Sequence, residues 1–288
     1  MRPPPGVTAI AIALAAAACS RREATAHGPD ASAATRVVSL GPSTTETLFA
    51  IGAGDRTVGR SRYCDYPPDA LRLPAVGGLE PDLEAILALR PDLVVGPSGA
   101  WARRAAQSLA DRGIASFFPE EVRSLADIDA LVLALGDRTG TRAGAERVVG
   151  GMHARETAVD EAVKGEPRPR VLMVVSLAPV VAAGPAGFAG DMLRRAGSDN
   201  AVTDGVAWPV VGFERVVELD PDLILDATEV ERPGPSRITP DAPGWSGVRA
   251  VREGHVVPIA DERVLRPGPR VAEGLETLAR AVHRGVVP

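Results

Sequence analysis

Aromatic residues and cysteines are scarce in this sequence of 288 residues. Phe, Trp and Tyr together make up 3% of the chain, and the only two cysteines are Cys19 and Cys64. With so few aromatics, the positions of the tryptophans and tyrosines become informative. Blocks of Lys and Arg are also absent and the net charge is −5. This argues against a nucleic-acid partner, because such binding needs a basic face.

Sequence motifs of common enzymes are absent as well. The chain has no nucleophile elbow, phosphate-binding loop, dinucleotide-binding glycine fingerprint, zinc-protease helix or paired-cysteine motif. Its histidines are dispersed over the chain, which argues against a site for bare zinc or manganese: His27, His153, His255 and His283. We therefore expect a protein that is not an enzyme and that has neither a cofactor nor a resident metal.

The N-terminus has the pattern of an export signal. Arg2 precedes an apolar stretch over residues 7–18, and small residues lead into Cys19, as in a lipoprotein processing site. An ordinary signal peptide cleaved near Cys19 is the alternative, and either one predicts export. Residues 20–35 are small, polar and aperiodic, which predicts a flexible tether. We expect a lipid-anchored protein on the periplasmic or extracytoplasmic side of a membrane, in which Cys64 is a buried free thiol.

The rest of the sequence alternates between strand and helix patterns. "RVLMVVSLAPVVAAG" (170–184) is a β-rich run, and "PSTTETLFAIGAG" (42–54) is a helical segment in which Ser and Thr predict N-caps. This alternation predicts an α/β architecture with mostly parallel sheets, and an apolar fraction of 45% can fill two cores. We predict an N-terminal α/β lobe over residues 36–137 and a C-terminal α/β lobe over residues 168–288.

One long helix is predicted between the lobes, over residues 138–167. An apolar stripe at helical spacing runs along it, formed by Val148, Met152, Val159 and Val163. A flexible hinge would be rich in Gly and Ser and would have no such stripe. We therefore expect the helix to hold the lobes at a nearly fixed angle, with the glycine pair at 150 and 151 as its weakest point.

One motif occurs twice: "DLEAILALRPDLVV" (82–95) returns as "GFERVVELDPDLIL" (212–225). The repeat indicates a chain built from two related halves. Aligning the two copies places Glu84 on Glu214, each near the start of a short predicted helix. A Glu at this position stabilises the helix dipole, which is sufficient to explain both residues. The alternative is a pair of docking charges, one per lobe, for a partner with matching twofold symmetry.

Five motifs in this order resemble a known family: "RVVSLGPSTTETLFAIGAG", "RYCDYPP", "DLEAILALRPDLVV", "WPVVGFERVVELDPDLIL" and "RPGPRVAEGLETLARAV". Over residues 36–284 the chain resembles the extracytoplasmic substrate-binding proteins of ABC importers for cobalamin, ferric siderophores and haem, the helical-backbone periplasmic binding proteins. The similarity is greatest to the cobalamin-binding members. It implies a monomer of two lobes joined by a long helix, with a ligand cleft between them. It also implies that Glu84 and Glu214 pair with arginines of a permease dimer.

Loops after the C-terminal ends of the predicted strands hold the candidate ligand-binding residues. Parallel α/β proteins bind ligands at these loops, and here the loops concentrate the scarce aromatics. Tyr63 and Trp208 match positions that line the cleft in the family, and Trp101 is a further candidate, with helix capping as its alternative. Arg266 and Arg270 offer planar donor groups to propionate, phosphate or amide oxygens, with a solvated turn as the alternative.

These observations together predict an exported solute-binding lipoprotein. It would capture a metal chelate and deliver it to an ABC permease. The candidate chelates are cobalamin, a ferric siderophore and haem. A binding lipoprotein with a sensing or structural role and no permease is the alternative, and an exported enzyme is a further one. The equivalent display of Glu84 and Glu214 favours the permease-dependent role.

Overall fold

The computed structural model describes residues 33–230 and 234–285. The predicted signal peptide, Cys19, His27 and most of the tether over residues 20–35 lie outside these ranges. No helix within the described ranges is long and apolar enough to cross a membrane.

The N-terminal lobe is built on a four-stranded, fully parallel sheet in the order β2-β1-β3-β4. Its strands are β1 (Val37–Ser39), β2 (Thr57–Arg60), β3 (Leu93–Val95) and β4 (Ala115–Phe117). The helices of this lobe are α1 (Pro42–Ala50), α2 (Leu83–Ala88), α3 (Ala100–Ala110) and α4 (Leu125–Thr139). All residues of the central strands β1 and β3 are buried, the pattern typical of parallel strands that are covered on both faces.

A helix of 21 residues, α5 (Arg142–Ala162), leads from the first lobe to the second. Met152 and Val159 are buried along it, in agreement with the predicted apolar stripe. The helix begins and ends inside the predicted span of 138–167. Its start is displaced because α4 continues to Thr139 and ends at Gly140, whose φ of 65° turns the chain in the left-handed conformation.

The C-terminal lobe has a sheet in the order β6-β5-β8-β9, with β7 pairing the start of β5. Its strands are β5 (Arg170–Leu177), β6 (Val180–Ala182), β7 (Asp199–Asn200), β8 (Leu223–Asp226) and β9 (Val256–Pro258). Its helices are α6 (Phe188–Arg195), α7 (Phe213–Leu219), α8 (Arg249–Arg252) and α9 (Val271–Val282). Only the β5–β6 pair is antiparallel among these described strands. The predicted fold class is thus confirmed: two α/β lobes with mostly parallel sheets, joined by a long helix.

One hydrophobic cluster extends through both lobes and the connecting helix. It includes Leu48 of α1, Met152 of α5 and Leu275 of α9. Changing the angle between the lobes would separate some of these buried apolar surfaces, so the cluster stabilises one arrangement. The predicted lobe boundaries at 36–137 and 168–288 stay predictions, because a shared core gives no sharp border.

One local prediction is wrong. The first turn of α1 is not capped by Ser or Thr: its N-cap is Gly41, followed by Pro42, and no side chain caps the helix. The hydroxyl of Thr44 instead donates to the carbonyl of Gly41 in the buried interior. The β-rich run over residues 170–184 forms the two strands β5 and β6, because the chain turns back between them into an antiparallel hairpin.

The repeated motif forms the same local structure in both lobes. Asp92 accepts a hydrogen bond from the backbone N–H of Arg36 at 3.0 Å, and Asp222 accepts one from that of Arg170 at 2.9 Å. Both arginine side chains donate to carbonyls at the C-terminal end of the repeat helix in the same lobe, at 2.7 and 3.0 Å. Each copy also turns through a non-glycine residue with positive φ, Arg90 or Asp220. The repeat therefore anchors the first strand of each lobe.

Candidate ligand cleft

A cavity of about 480 Å³ lies between the two lobes. The N-terminal lobe lines it with Ser43, Thr44, Gly96, Pro97, Ser98, Pro119, Glu120, Glu121, Val122 and Leu131. The C-terminal lobe lines it with Phe188, Trp208, Leu265 and Pro267. Most of the N-terminal residues follow the C-terminal ends of parallel strands, where α/β proteins bind ligands. The volume lies within the range of small-molecule sites, roughly 300–1,000 Å³.

Trp208 forms one wall of this cavity, and its backbone is tied to β6. The neighbouring carbonyl of Pro209 accepts a hydrogen bond from the N–H of Ala182 at 3.1 Å. The indole ring packs edge-on against Phe188, with 6.1 Å between the ring centroids. Trp208 thus presents a fixed aromatic surface, and the structure brings this predicted residue into the cleft.

The part of the cavity wall that the N-terminal lobe supplies carries negative charge. Glu120 and Glu121 line the cavity and are exposed to solvent. No Lys or Arg lines the cavity within the part of the chain that the structure describes. Neither glutamate was among the predicted ligand-binding residues. Acidic residues are abundant in the chain, and the only available signal was that this pair directly follows a predicted strand.

Arg266 lies beside the cavity rather than in it. It lines a neighbouring space of about 350 Å³, which shares Ser43, Leu265 and Pro267 with the cleft. Its guanidinium forms ion pairs at 3.1 Å with Asp65 and at 2.7 Å with Glu262. These partners neutralise most of the charge that a ligand carboxylate or phosphate would otherwise meet.

Arg270 does not line the cleft cavity. Its Nη2 contacts a carboxylate oxygen of Glu46 at 2.7 Å and one of Glu262 at 3.1 Å, and its guanidinium lies 3.7 Å from the centroid of the Tyr66 ring. Burial alone would lower the pKa of Arg270, but the two carboxylates outweigh it and raise the pKa above its usual range.

The two remaining aromatic candidates also lie outside the cavity lining. Tyr63 is 48% exposed, with the Arg62 guanidinium 6.0 Å from its ring centroid. Trp101 stands in the first turn of α3 and packs edge-on against Phe118, with 6.1 Å between the centroids. Their assignment to ligand binding stays a prediction, as it does for Arg266.

The two candidate docking residues occupy equivalent places. Glu84 is exposed in the first turn of α2, and Glu214 is exposed in the first turn of α7. In the first copy the N-cap is Asp82, whose carboxylate accepts from two backbone N–H groups. In the second the N-cap is Gly212, without a side-chain contact. Pairing of both glutamates with a permease stays a prediction.

No group of three or more His, Cys, Asp or Glu side chains is arranged to hold a metal ion within the described ranges. His153 instead contacts Asp129 at 2.6 Å, and His283 contacts the carbonyl of Gly197 at 3.1 Å. Cys64 is a buried free thiol, and burial raises its pKa, which disfavours the reactive thiolate.

Comparison with known proteins identifies the family of this chain. Residues 37–262 match the family profile described as "Periplasmic binding protein". The chain belongs to the periplasmic binding proteins. The family is made of solute-binding proteins.

Three relatives of this periplasmic binding protein are informative. An uncharacterized ABC transporter substrate-binding lipoprotein of Bacillus subtilis is 28% identical over 86% of this chain and 80% of its own. A cobalamin-binding protein of Halobacterium salinarum is 30% identical over 88% of this chain and 70% of its own. A solved periplasmic haem-binding protein, in complex with two haems, has a TM-score of 0.73 and 25% identity, covering 88% of this chain and 100% of that one.

Proposed function

We propose that this protein captures a corrinoid, a cobalamin-like metal chelate, in the interlobe cleft and delivers it to an ABC permease. The observation that carries the proposal is the cavity between the lobes, walled by the fixed indole ring of Trp208. An aromatic wall in a cleft between two rigid lobes suits a flat macrocycle. The relatives named as a substrate-binding lipoprotein and as a cobalamin-binding protein support the same role, as well as export and a lipid on Cys19.

The charge of the cleft favours a corrinoid over haem or an anionic ferric siderophore. Glu120 and Glu121 repel ligand carboxylates, and no described Lys or Arg of the lining offsets them. A corrinoid carries amide groups around its ring, and amide N–H groups donate hydrogen bonds to carboxylates. The propionates of haem would instead be placed near like charges.

Isothermal titration of the purified protein with cobalamin, haem and a ferric siderophore tests the ligand. We expect cobalamin to bind best and Trp208→Ala to weaken its binding about tenfold, which corresponds to about 1.4 kcal/mol of lost contact. Trp245→Phe is the matched control, because Trp245 is buried in the C-terminal lobe against Phe213, away from the cavity lining. Stronger binding of haem than of cobalamin would contradict the proposed ligand class.

A further inference from the structure

A segment of the C-terminal lobe, residues 262–270, is tied to the N-terminal lobe by charge. Glu46 of α1 is 2% exposed, and its carboxylate accepts hydrogen bonds from the side chain of Arg270 at 2.7 Å and from its backbone N–H at 3.3 Å. The Arg270 guanidinium also stacks on the ring of Tyr66 in the N-terminal lobe, 3.7 Å from its centroid. The contact between Glu46 and Arg270 thus joins residues that are 224 positions apart in the chain.

A second ion pair reinforces this contact. Arg266 reaches Asp65 of the N-terminal lobe at 3.1 Å. Glu262 contacts both arginines, at 2.7 Å for Arg266 and 3.1 Å for Arg270. We call these five residues the interlobe latch: Glu46, Asp65, Glu262, Arg266 and Arg270.

The latch is directly continuous with the cleft. Leu265 and Pro267 line the cavity and stand on either side of Arg266 in the chain. Ser43 of α1 lines the same cavity and lies close to Gly268, where an added Cβ would come 3.5 Å from Ser43 and 3.6 Å from the Glu46 carboxylate. A shift of the segment away from α1 would therefore move two side chains of the cavity wall.

A buried ion pair is a costly way to stabilise a fold, because both charges lose their hydration. Its directional contacts, in contrast, specify one geometry, since a carboxylate and a guanidinium fit each other in few orientations. We propose that Glu46 and Arg270 are positioning residues that hold segment 262–270 against α1 and so set the shape of the ligand cleft. The role in ligand binding rests on the proposed function, whereas the role in holding the segment does not.

Hydrogen exchange of the full-length protein, followed by mass spectrometry, tests the latch without any ligand. The variant Glu46→Gln/Arg270→Gln removes both charges of the central pair. We expect exchange to accelerate about tenfold in residues 262–271 and to stay unchanged in α3. Arg270→Lys keeps the charge but loses the planar fork and the stacking on Tyr66, and we expect an intermediate acceleration.

The matched control is Glu156→Gln/Arg195→Gln. This pair has nearly the same burial, with side-chain exposures of 6% and 20% against 3% and 21% for Glu46 and Arg270, and it connects α5 to α6 instead. We expect the control to leave exchange in residues 262–271 unchanged. Unchanged exchange there in the Glu46→Gln/Arg270→Gln and Arg270→Lys variants, or equal acceleration in the control, would overturn the proposal.

Titration with cobalamin then tests the effect on the cleft. About tenfold weaker binding by the Glu46→Gln/Arg270→Gln variant, with unchanged binding by the control, would support the positioning role. An equal affinity for cobalamin in the wild type, the Glu46→Gln/Arg270→Gln variant and the control would overturn that role. Absence of binding by the wild type would count against the proposed ligand alone, because hydrogen exchange decides the latch independently.

Discussion

Three glycines of α5 differ in what surrounds their Cα atoms. An added Cβ at Gly144 would come 2.0 Å from the carbonyl oxygen of Ile51, so this glycine permits close approach of α5 to the end of α1. At Gly150 and Gly151 nothing lies within 4 Å of an added Cβ. The first glycine is needed for packing, whereas the other two only weaken the helix.

Alanine substitutions should therefore have opposite effects within this one helix. Gly150→Ala should raise the free energy of unfolding by about 1 kcal/mol, because Ala loses less backbone entropy in a helix. Gly144→Ala should lower it by about 2 kcal/mol, because the new methyl group displaces the backbone of Ile51. Urea denaturation of the two variants measures both changes. Equal effects of the two substitutions would contradict this account of α5.

Individual side chains of the cleft were predictable to different degrees. Trp208 was selected because aromatics are scarce and because its motif matches the family. The arginines of "RPGPR" were selected for their chemistry, but whether a guanidinium is free depends on its neighbours. Two of those neighbours come from distant segments: Asp65 for Arg266 and Glu46 for Arg270. Charge pairing of this kind has no local signal in the sequence.

At the scale of elements, α5 is fixed to both lobes by polar contacts as well as by its apolar face. His153 contacts Asp129 of α4 in the N-terminal lobe at 2.6 Å. Arg195 of α6 in the C-terminal lobe pairs with Glu156 and Asp160 of α5. These contacts on opposite lobes support the predicted role of α5 as a stiff connector.

The contact between His153 and Asp129 should make stability depend on pH. The hydrogen bond to Asp129 raises the pKa of His153, with a smaller contribution from Glu156 and an opposing one from Arg195. A raised folded-state pKa means that the stabilisation is complete below the unfolded pKa and is lost as pH rises through the folded pKa. We expect His153→Gln to lower the free energy of unfolding by about 0.5 kcal/mol near pH 5.5, since the pair is partly exposed, and by less near pH 8.5.

Denaturation of wild type and His153→Gln at both pH values measures this difference. Asp129→Asn should remove the same pH dependence, because it neutralises the partner. If His153→Gln lowered the free energy of unfolding equally at both pH values, the protonated imidazole would contribute nothing to stability through Asp129.

At the scale of the whole molecule, the two exposed glutamates of the repeat face solvent from separate lobes. The shared core and α5 hold these lobes together, so the spacing between Glu84 and Glu214 is constrained. A constrained spacing suits a partner that offers two equivalent basic sites, because little conformational freedom is then lost on docking. We propose that this partner is the permease dimer.

Charge reversal tests the docking proposal. Glu84→Arg/Glu214→Arg should reduce uptake of cobalamin by cells that contain the cognate permease at least about tenfold, because each ion pair becomes a repulsion. The affinity for cobalamin itself should not change, since neither residue lines the cavity. Glu80→Arg/Glu218→Arg, which reverses two other exposed glutamates of the same lobes, is the control. Normal uptake by the first variant would refute docking through the repeat.

The sequence by itself determined the α/β alternation, the mostly parallel sheets, the long connecting helix and the equivalent place of the repeated motif in the two lobes. These features depend on local periodicity and on a repeated motif, both of which can be read along the chain. Only the tertiary structure decided which side chains meet in the cleft and which neutralise each other. Glu46 and Arg270 acquire their roles through burial against each other, and such energies exist only once distant segments are packed together.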